Sequence, residues 1–188
     1  MNEAANEPLQ TVLRQNAEQA CAAELEALIA EDDRARPPSW RMSPWAVRTY
    51  LIGGKTKSGV TIGPKYIGNP RLIEIAVATL ATDRALLLYG LPGTAKSWVS
   101  EHLSAAISRD STLLVQGTAG TDETALRYGW NYAKLLADGP SLDALVPSPM
   151  MRAMSSGRLA RVEELTRMPS EVQDTLISIL SEKTLPVH

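Results

Sequence analysis

Apolar positions follow one pattern before about residue 64 and another after it. In the first part Leu9, Val12, Leu13, Ala17, Ala20, Leu25, Leu28 and Ile29 approximate a 3.6-residue period. That spacing predicts one helix over residues 7–33, its stripe blurred by alanines. Arg36-Pro37-Pro38-Ser39 ends it as a linker. Ser43 as N-cap and Pro44 at the first helical position open a short helix through residue 50, which Gly53 and Gly54 stop. Residues 55–65 read as a loop or hairpin. From residue 69 onward strands and helices alternate. An apolar helix is expected over 70–80, a strand over 85–89, a helix over 97–108 and a strand over 112–116. Thr121 reads as the N-cap of a helix over 121–137, with Asp122 and Glu123 in its first turn. Residues 138–156 are loop-rich, with a short helical piece near 150–154. A third strand is expected at 159–162. An amphipathic helix over 169–182 places Val172, Leu176, Ile179 and Leu180 on one face, and residues 184–187 open a further strand. This alternation predicts an α/β fold, a parallel sheet flanked by helices, over residues 64–188. A helical accessory segment and linker precede it over residues 1–63.

Composition narrows the reading. The chain has 188 residues, 44% hydrophobic and 21% charged, with a net charge of −2. That suits one core of ordinary size and offers no basic field for nucleic acid. Cys21, the single cysteine, cannot form an internal disulfide, which fits a cytoplasmic protein, and it reads as a small apolar residue of a helix. No apolar run is long enough to span a membrane. The acidic start Met1-Asn2-Glu3 lacks the basic and apolar regions of a signal peptide.

The chemistry concentrates in Gly90-Leu91-Pro92-Gly93-Thr94-Ala95-Lys96-Ser97. An apolar run precedes it and a helical pattern beginning at Trp98 comes after it, which is the strand–loop–helix setting of a phosphate-binding loop. Backbone N–H groups of such a loop wrap phosphate oxygens, and the helix N-terminus adds partial positive charge. Lys96 would reach the β- and γ-phosphates, and the Ser97 hydroxyl would ligate Mg²⁺. Ala95 stands where the second glycine is expected; its methyl is tolerable if the residue keeps a negative φ. Gly54-Lys55-Thr56 mimics the end of such a loop but has no first glycine and no preceding strand, so it reads as a decoy.

Hydrolysis also needs carboxylates at the end of a neighbouring strand. Leu159-Ala160-Arg161-Val162-Glu163-Glu164 supplies them. Glu163 would face the metal and Glu164 would polarise the attacking water. Asp-Glu is the usual pair, so Glu163 is one methylene long, and Arg161 interrupts an otherwise apolar strand. His102 and His188 have no Cys or carboxylate at ligand spacing, so neither suggests a metal site.

With these residues in place, the chain resembles a MoxR-type AAA+ ATPase over about residues 64–188. Pro92-Gly93-Thr94-Ala95-Lys96 is similar to that family's loop, which makes Ala95 a familial trait. Arg161-Val162-Glu163-Glu164-Leu165-Thr166-Arg167-Met168-Pro169 resembles its Walker B strand and the start of the next helix. Gln116-Gly117-Thr118-Ala119-Gly120-Thr121 and Tyr128-Gly129-Trp130-Asn131-Tyr132 resemble segments of MoxR relatives found beside von Willebrand A-domain proteins. The resemblance implies an adenine pocket lined by Tyr66, Ile67 and Gly68, and phosphate contacts from Gly90, Pro92, Gly93, Thr94, Ala95, Lys96, Ser97 and Trp98. It implies Mg²⁺ on Ser97 and Glu163, and catalysis by Glu164 and Lys96. It also implies ATP as substrate, a homo-oligomeric ring with six subunits expected, a client protein to remodel, and a von Willebrand A-domain partner.

Trp130 and Tyr132 read as core or subunit-contact aromatics. Arg167 reads either as a group reaching a neighbouring subunit or as an exposed ion-pairing side chain. The segment of Trp40 and Trp45 either docks a partner or packs on the core. The family's sensor strand, arginine finger and lid would come after residue 188, so the expectation is a portion of a longer protein whose AAA+ module is incomplete at the C-terminus. Two alternatives stay open: an ATP-binding switch or scaffold with little hydrolysis, and a P-loop kinase acting on a small molecule.

Overall fold

The computed structural model describes residues 14–82 and 84–187. Part of the helix expected over 7–33, including Leu9, Val12 and Leu13, lies outside the described residues, as does His188. The remainder of that helix divides into α1 (Ala17–Ala20) and α2 (Ala22–Glu31). The break falls at Cys21, whose φ of −113° and ψ of 24° leave the helical region. Asn16 caps α1 by accepting from the Gln19 N–H at 3.1 Å.

Helix α3 (Pro44–Ile52) begins as predicted, with Ser43 Oγ accepting from the Ala46 N–H and Pro44 in the first turn. It runs two residues past the expected end before Gly53, at φ +86°, stops it. Residues 54–62 form a small antiparallel hairpin of β1 (Gly54–Lys55) and β2 (Thr61–Ile62). The Gly54-Lys55-Thr56 decoy therefore lies on a hairpin strand, not at a helix start. Helix α4 (Pro70–Ala81) comes next, capped by Asn69. Helix α5 (Lys96–Ser108) is largely enclosed, with nine of its residues buried. Leu25 of α2, Val47, Tyr50 and Leu51 of α3, Ile73 and Val77 of α4, and Leu103 and Ile107 of α5 share one hydrophobic cluster. Trp40 joins it at 8% exposure, whereas Trp45 is exposed, its ring 4.5 Å from the Arg34 guanidinium.

The α/β half is built around β3 (Leu114–Gln116) and β6 (Arg161–Glu163), which pair in parallel with Gln116 opposite Glu163. Val115 of β3 forms a second cluster with Leu126, Met150, Met168, Val172, Leu176 and Ile179. Three of these lie on α8 (Ser170–Glu182). Leu180, expected on the same face, is 46% exposed.

Three expectations need correction. Residues 85–89 are extended, with Leu86 and Leu88 against the first cluster and Leu87 and Tyr89 outward, but they form no ladder with any described residue. Their alternation is that of a strand; the backbone pairing that defines one is missing. Residues 184–187 likewise form no strand. The helix expected over 121–137 does not form. Asp122, not Thr121, accepts from the Thr124 N–H at 3.0 Å and caps a single 3₁₀ turn at Glu123–Ala125. β4 (Tyr128–Trp130) then pairs antiparallel with β5 (Leu145–Pro147), and α6 (Tyr132–Asp138) sits between them. An aromatic–Gly–aromatic triplet suits a paired strand better than a helix interior. Tyr132 is exposed and Trp130 half-buried. Helix α7 (Pro149–Ser156), with Ser148 as N-cap, leads into β6.

Candidate functional site

The loop at 90–95 turns directly into α5. Gly93 has φ +79° and Ala95 φ +58°, ψ +27°. Ala95 therefore departs from the expected negative φ: the chain must turn left-handed there to enter α5, and its Cβ bears a strain a glycine would avoid. No side chain caps the first turn of α5. Its leading N–H groups thus have no side-chain acceptor, as an anion-binding turn requires. Thr94 Oγ1 donates to the Leu91 carbonyl at 2.8 Å and closes the loop on itself. Lys96 Nζ folds over the same loop, donating to the carbonyls of Gly90 (3.1 Å) and Leu91 (2.8 Å).

The parallel register carries Glu163 to the C-terminal end of β6, facing the first turns of α5. Ser97 Oγ donates to Glu163 Oε2, and Ser100 Oγ lies 2.7 Å from Glu163 Oε1. Ser100 is one helical turn beyond Ser97 on the same face, as the i, i+3 spacing shows; that this face meets Glu163 depends on the register of β6. Arg161, the residue that interrupts the strand, turns its guanidinium toward α5. Its Nη1 lies 3.4 Å from the Ser97 carbonyl, 3.3 Å from Ser100 Oγ and 3.5 Å from Glu163 Oε1. Its Nε is buried without a hydrogen-bond partner among the described residues.

Gly117 sets how closely β3 approaches this site. Its N–H donates to the Glu163 carbonyl at 2.8 Å. A Cβ on Gly117 would stand 2.4 Å from the Glu164 carbonyl oxygen and 2.9 Å from that of Glu163. The sequence alone assigns this glycine no role, because its contact partner lies far along the chain. Glu164 is exposed and adopts φ +53° as the chain leaves β6 for the turn at Leu165–Arg167. Arg167 is exposed as well.

Tyr66, Ile67 and Gly68 lie beside α5. The N–H groups of Lys65 and Tyr66 both donate to the Leu51 carbonyl, at 2.8 and 2.9 Å. Trp98 Nε1 donates to the Lys65 carbonyl at 2.8 Å and ties this segment to the first turn of α5. Ile67 is 91% exposed, and the Tyr66 ring lies over Gly68 where a Cβ would be. Behind Trp98, His102 is buried with its ring 4.4 Å from the indole, and the Tyr50 hydroxyl meets its Nδ1 at 2.8 Å. Burial pushes the His102 imidazole down to about 4, so it is neutral near pH 7. The outer side of α5 carries α1: Glu101 accepts from the Ala17 N–H at 3.0 Å and pairs with Arg14.

A hydroxyl and a carboxylate in contact at the head of a phosphate-type loop form an oxygen donor set that fits Mg²⁺, which takes one or two carboxylates and completes its shell with phosphate oxygens and water. Among the described residues no cluster of three or more His, Cys, Asp or Glu could hold a metal, and no helix is long and apolar enough to cross a membrane.

Comparison with known proteins bears on the family. Residues 85–188, more than half of the chain, match the AAA domain (dynein-related subfamily). The chain is also 44% identical over 164 residues to the uncharacterized protein YehL of Escherichia coli (strain K12), covering 87% of this chain and 44% of that protein. It thus spans less than half the length of that relative. No solved structure matches it significantly.

Proposed function

The chain belongs to the AAA-domain family of P-loop ATPases, dynein-related subfamily, and on that premise we propose that it binds Mg·ATP at the 90–98 loop and hydrolyses it as a MoxR-like AAA+ ATPase. The contact between Ser97 Oγ and Glu163 carries the reading, because it joins the loop hydroxyl to the strand-end carboxylate where both could share one cation with ATP phosphates. Lys96 exchanges the Gly90 and Leu91 carbonyls for β- and γ-phosphate oxygens. Backbone N–H groups from Gly93 to Trp98 hold the remaining phosphate oxygens. Ser97 and Glu163 hold Mg²⁺, which when bound neutralises charge on the transferring phosphate. Glu164 orients the attacking water and takes its proton. Tyr66, Ile67 and Gly68, fixed to α5 through Trp98, border the adenine.

In the whole protein this chemistry drives remodelling of a client protein by a homo-oligomeric ring, six subunits being the family expectation, alongside a von Willebrand A-domain partner. A second reading, an ATP-dependent switch with little turnover, draws on the Arg161 guanidinium beside Glu163. Glu164→Gln separates the two. An ATPase loses phosphate release in this variant and keeps nucleotide binding; a switch shows the same negligible rate in both chains.

A further inference from the structure

The linker at residues 36–41 builds a charged cavity that the nucleotide reading does not use. Pro37 and Pro38 fix two backbone φ angles, and the Trp40 N–H donates to the Pro37 carbonyl at 3.2 Å. The Trp40 ring is buried, and the Arg41 N–H donates to the Ile107 carbonyl at 2.8 Å. Ser39, between Pro38 and Trp40, holds φ +65°. It packs over Gly157, where a Cβ would stand 3.1 Å from its own. A non-glycine residue held left-handed by its surroundings marks a rigid loop.

A cavity of about 520 Å³ opens between this linker, Ser108 at the end of α5, and Arg158 beyond α7. Arg36, Arg41 and Arg158 all line it, and no carboxylate does. Arg158 is paired with Asp110 at 2.8 Å. Arg36 donates only to a backbone carbonyl, that of Arg41, at 3.1 Å. The Arg41 guanidinium has no hydrogen bond or ion pair among the described residues. Two positive charges are therefore left without a carboxylate partner in one preformed concavity, on a chain whose net charge is −2.

Guanidinium forks match tetrahedral oxyanions with several parallel N–H···O bonds, and the cavity is larger than a bare phosphate needs. We propose that this cavity binds the phosphate group of a small phosphorylated molecule. It is a site separate from the 90–98 loop, at the other end of α5, about 18 Å away along the helix.

The test uses the Lys96→Ala chain, which silences phosphate uptake at the 90–98 loop. Inorganic phosphate and, separately, glycerol phosphate are titrated by calorimetry at constant ionic strength. The expected result is one saturable site for at least one of the two probes. Its affinity falls tenfold or more in Arg41→Gln, falls less in Arg41→Lys, and falls in Arg36→Gln. Arg36 and Arg41 are exposed, so these variants keep the fold, which circular dichroism checks. Tighter binding of glycerol phosphate marks an ester ligand; tighter binding of inorganic phosphate marks the free ion. No saturable binding of either probe, or binding of equal strength in the Arg41→Gln and Arg36→Gln chains, overturns the proposal.

Discussion

Ala95 shows how one residue can be strained and still in place. Its left-handed backbone lets the loop enter α5 with the N–H groups of Lys96, Ser97 and Trp98 leading. An alanine there costs about 1–2 kcal/mol over an unstrained conformer, and glycine returns part of that through a freer unfolded chain. Ala95→Gly is therefore expected to stabilise the chain by roughly 0.5–1 kcal/mol in urea unfolding. A loss of stability would show that the methyl makes a contact worth more than the strain. His102 makes a second residue-scale prediction. Its folded pKa, about 4, lies below the ordinary value of 6.5. Between those values the unfolded chain binds a proton that the folded chain refuses. The stabilisation is full above pH 6.5 and is lost as pH falls toward 4. Glu101 opposes this shift, and Lys65 and Arg14 reinforce it. The expected loss is roughly 2–3 kcal/mol between pH 7 and pH 4, read as a shallower pH dependence of stability in His102→Gln. Equal slopes in the two chains would refute it.

At the scale of elements, the site depends on how closely β3 and β6 approach before the chain turns into Glu164. Gly117 permits that approach. Gly117→Ala is expected to push the strand ends apart, destabilise the chain by about 1–3 kcal/mol and raise the Mg²⁺ concentration needed for nucleotide binding. Unchanged stability and unchanged Mg²⁺ dependence would mean that the strand ends yield without cost. The elements differ in how plainly the sequence encodes them. Pro44 and Pro70, each preceded by a capping residue, mark helix starts by local chemistry, and both helices begin there. The segment 121–137 has a good cap and acidic first turn, yet its middle is drawn into a ladder by residues 145–147. Local signals cannot report a partner that distant. The same holds for Gly117, whose reason for being glycine lies at Glu164.

At the scale of the molecule, one hydrophobic cluster joins α2 to α5 and a second packs around β3 and α8. Helices α2 and α3, read from the sequence as an accessory segment, share the first cluster with α4 and α5. Leu86 and Leu88 lean on that cluster, while Leu87 and Tyr89 face outward from a segment with no ladder among the described residues. The loop and the Glu-Glu step stand out in the sequence as candidates because phosphate and metal chemistry restricts residue type and order over a few positions. The meeting of Ser97, Ser100, Arg161 and Glu163 was legible only in part, since it depends on the parallel register of β3 and β6. Binding of a fluorescent ATP analogue to this chain with Mg²⁺, beside Lys96→Ala, decides whether the 90–98 loop takes nucleotide. Saturable binding that disappears in Lys96→Ala is the predicted result. A well-folded chain that does not bind the analogue, or that binds it equally well without Lys96, would mean that the 90–98 loop does not hold nucleotide.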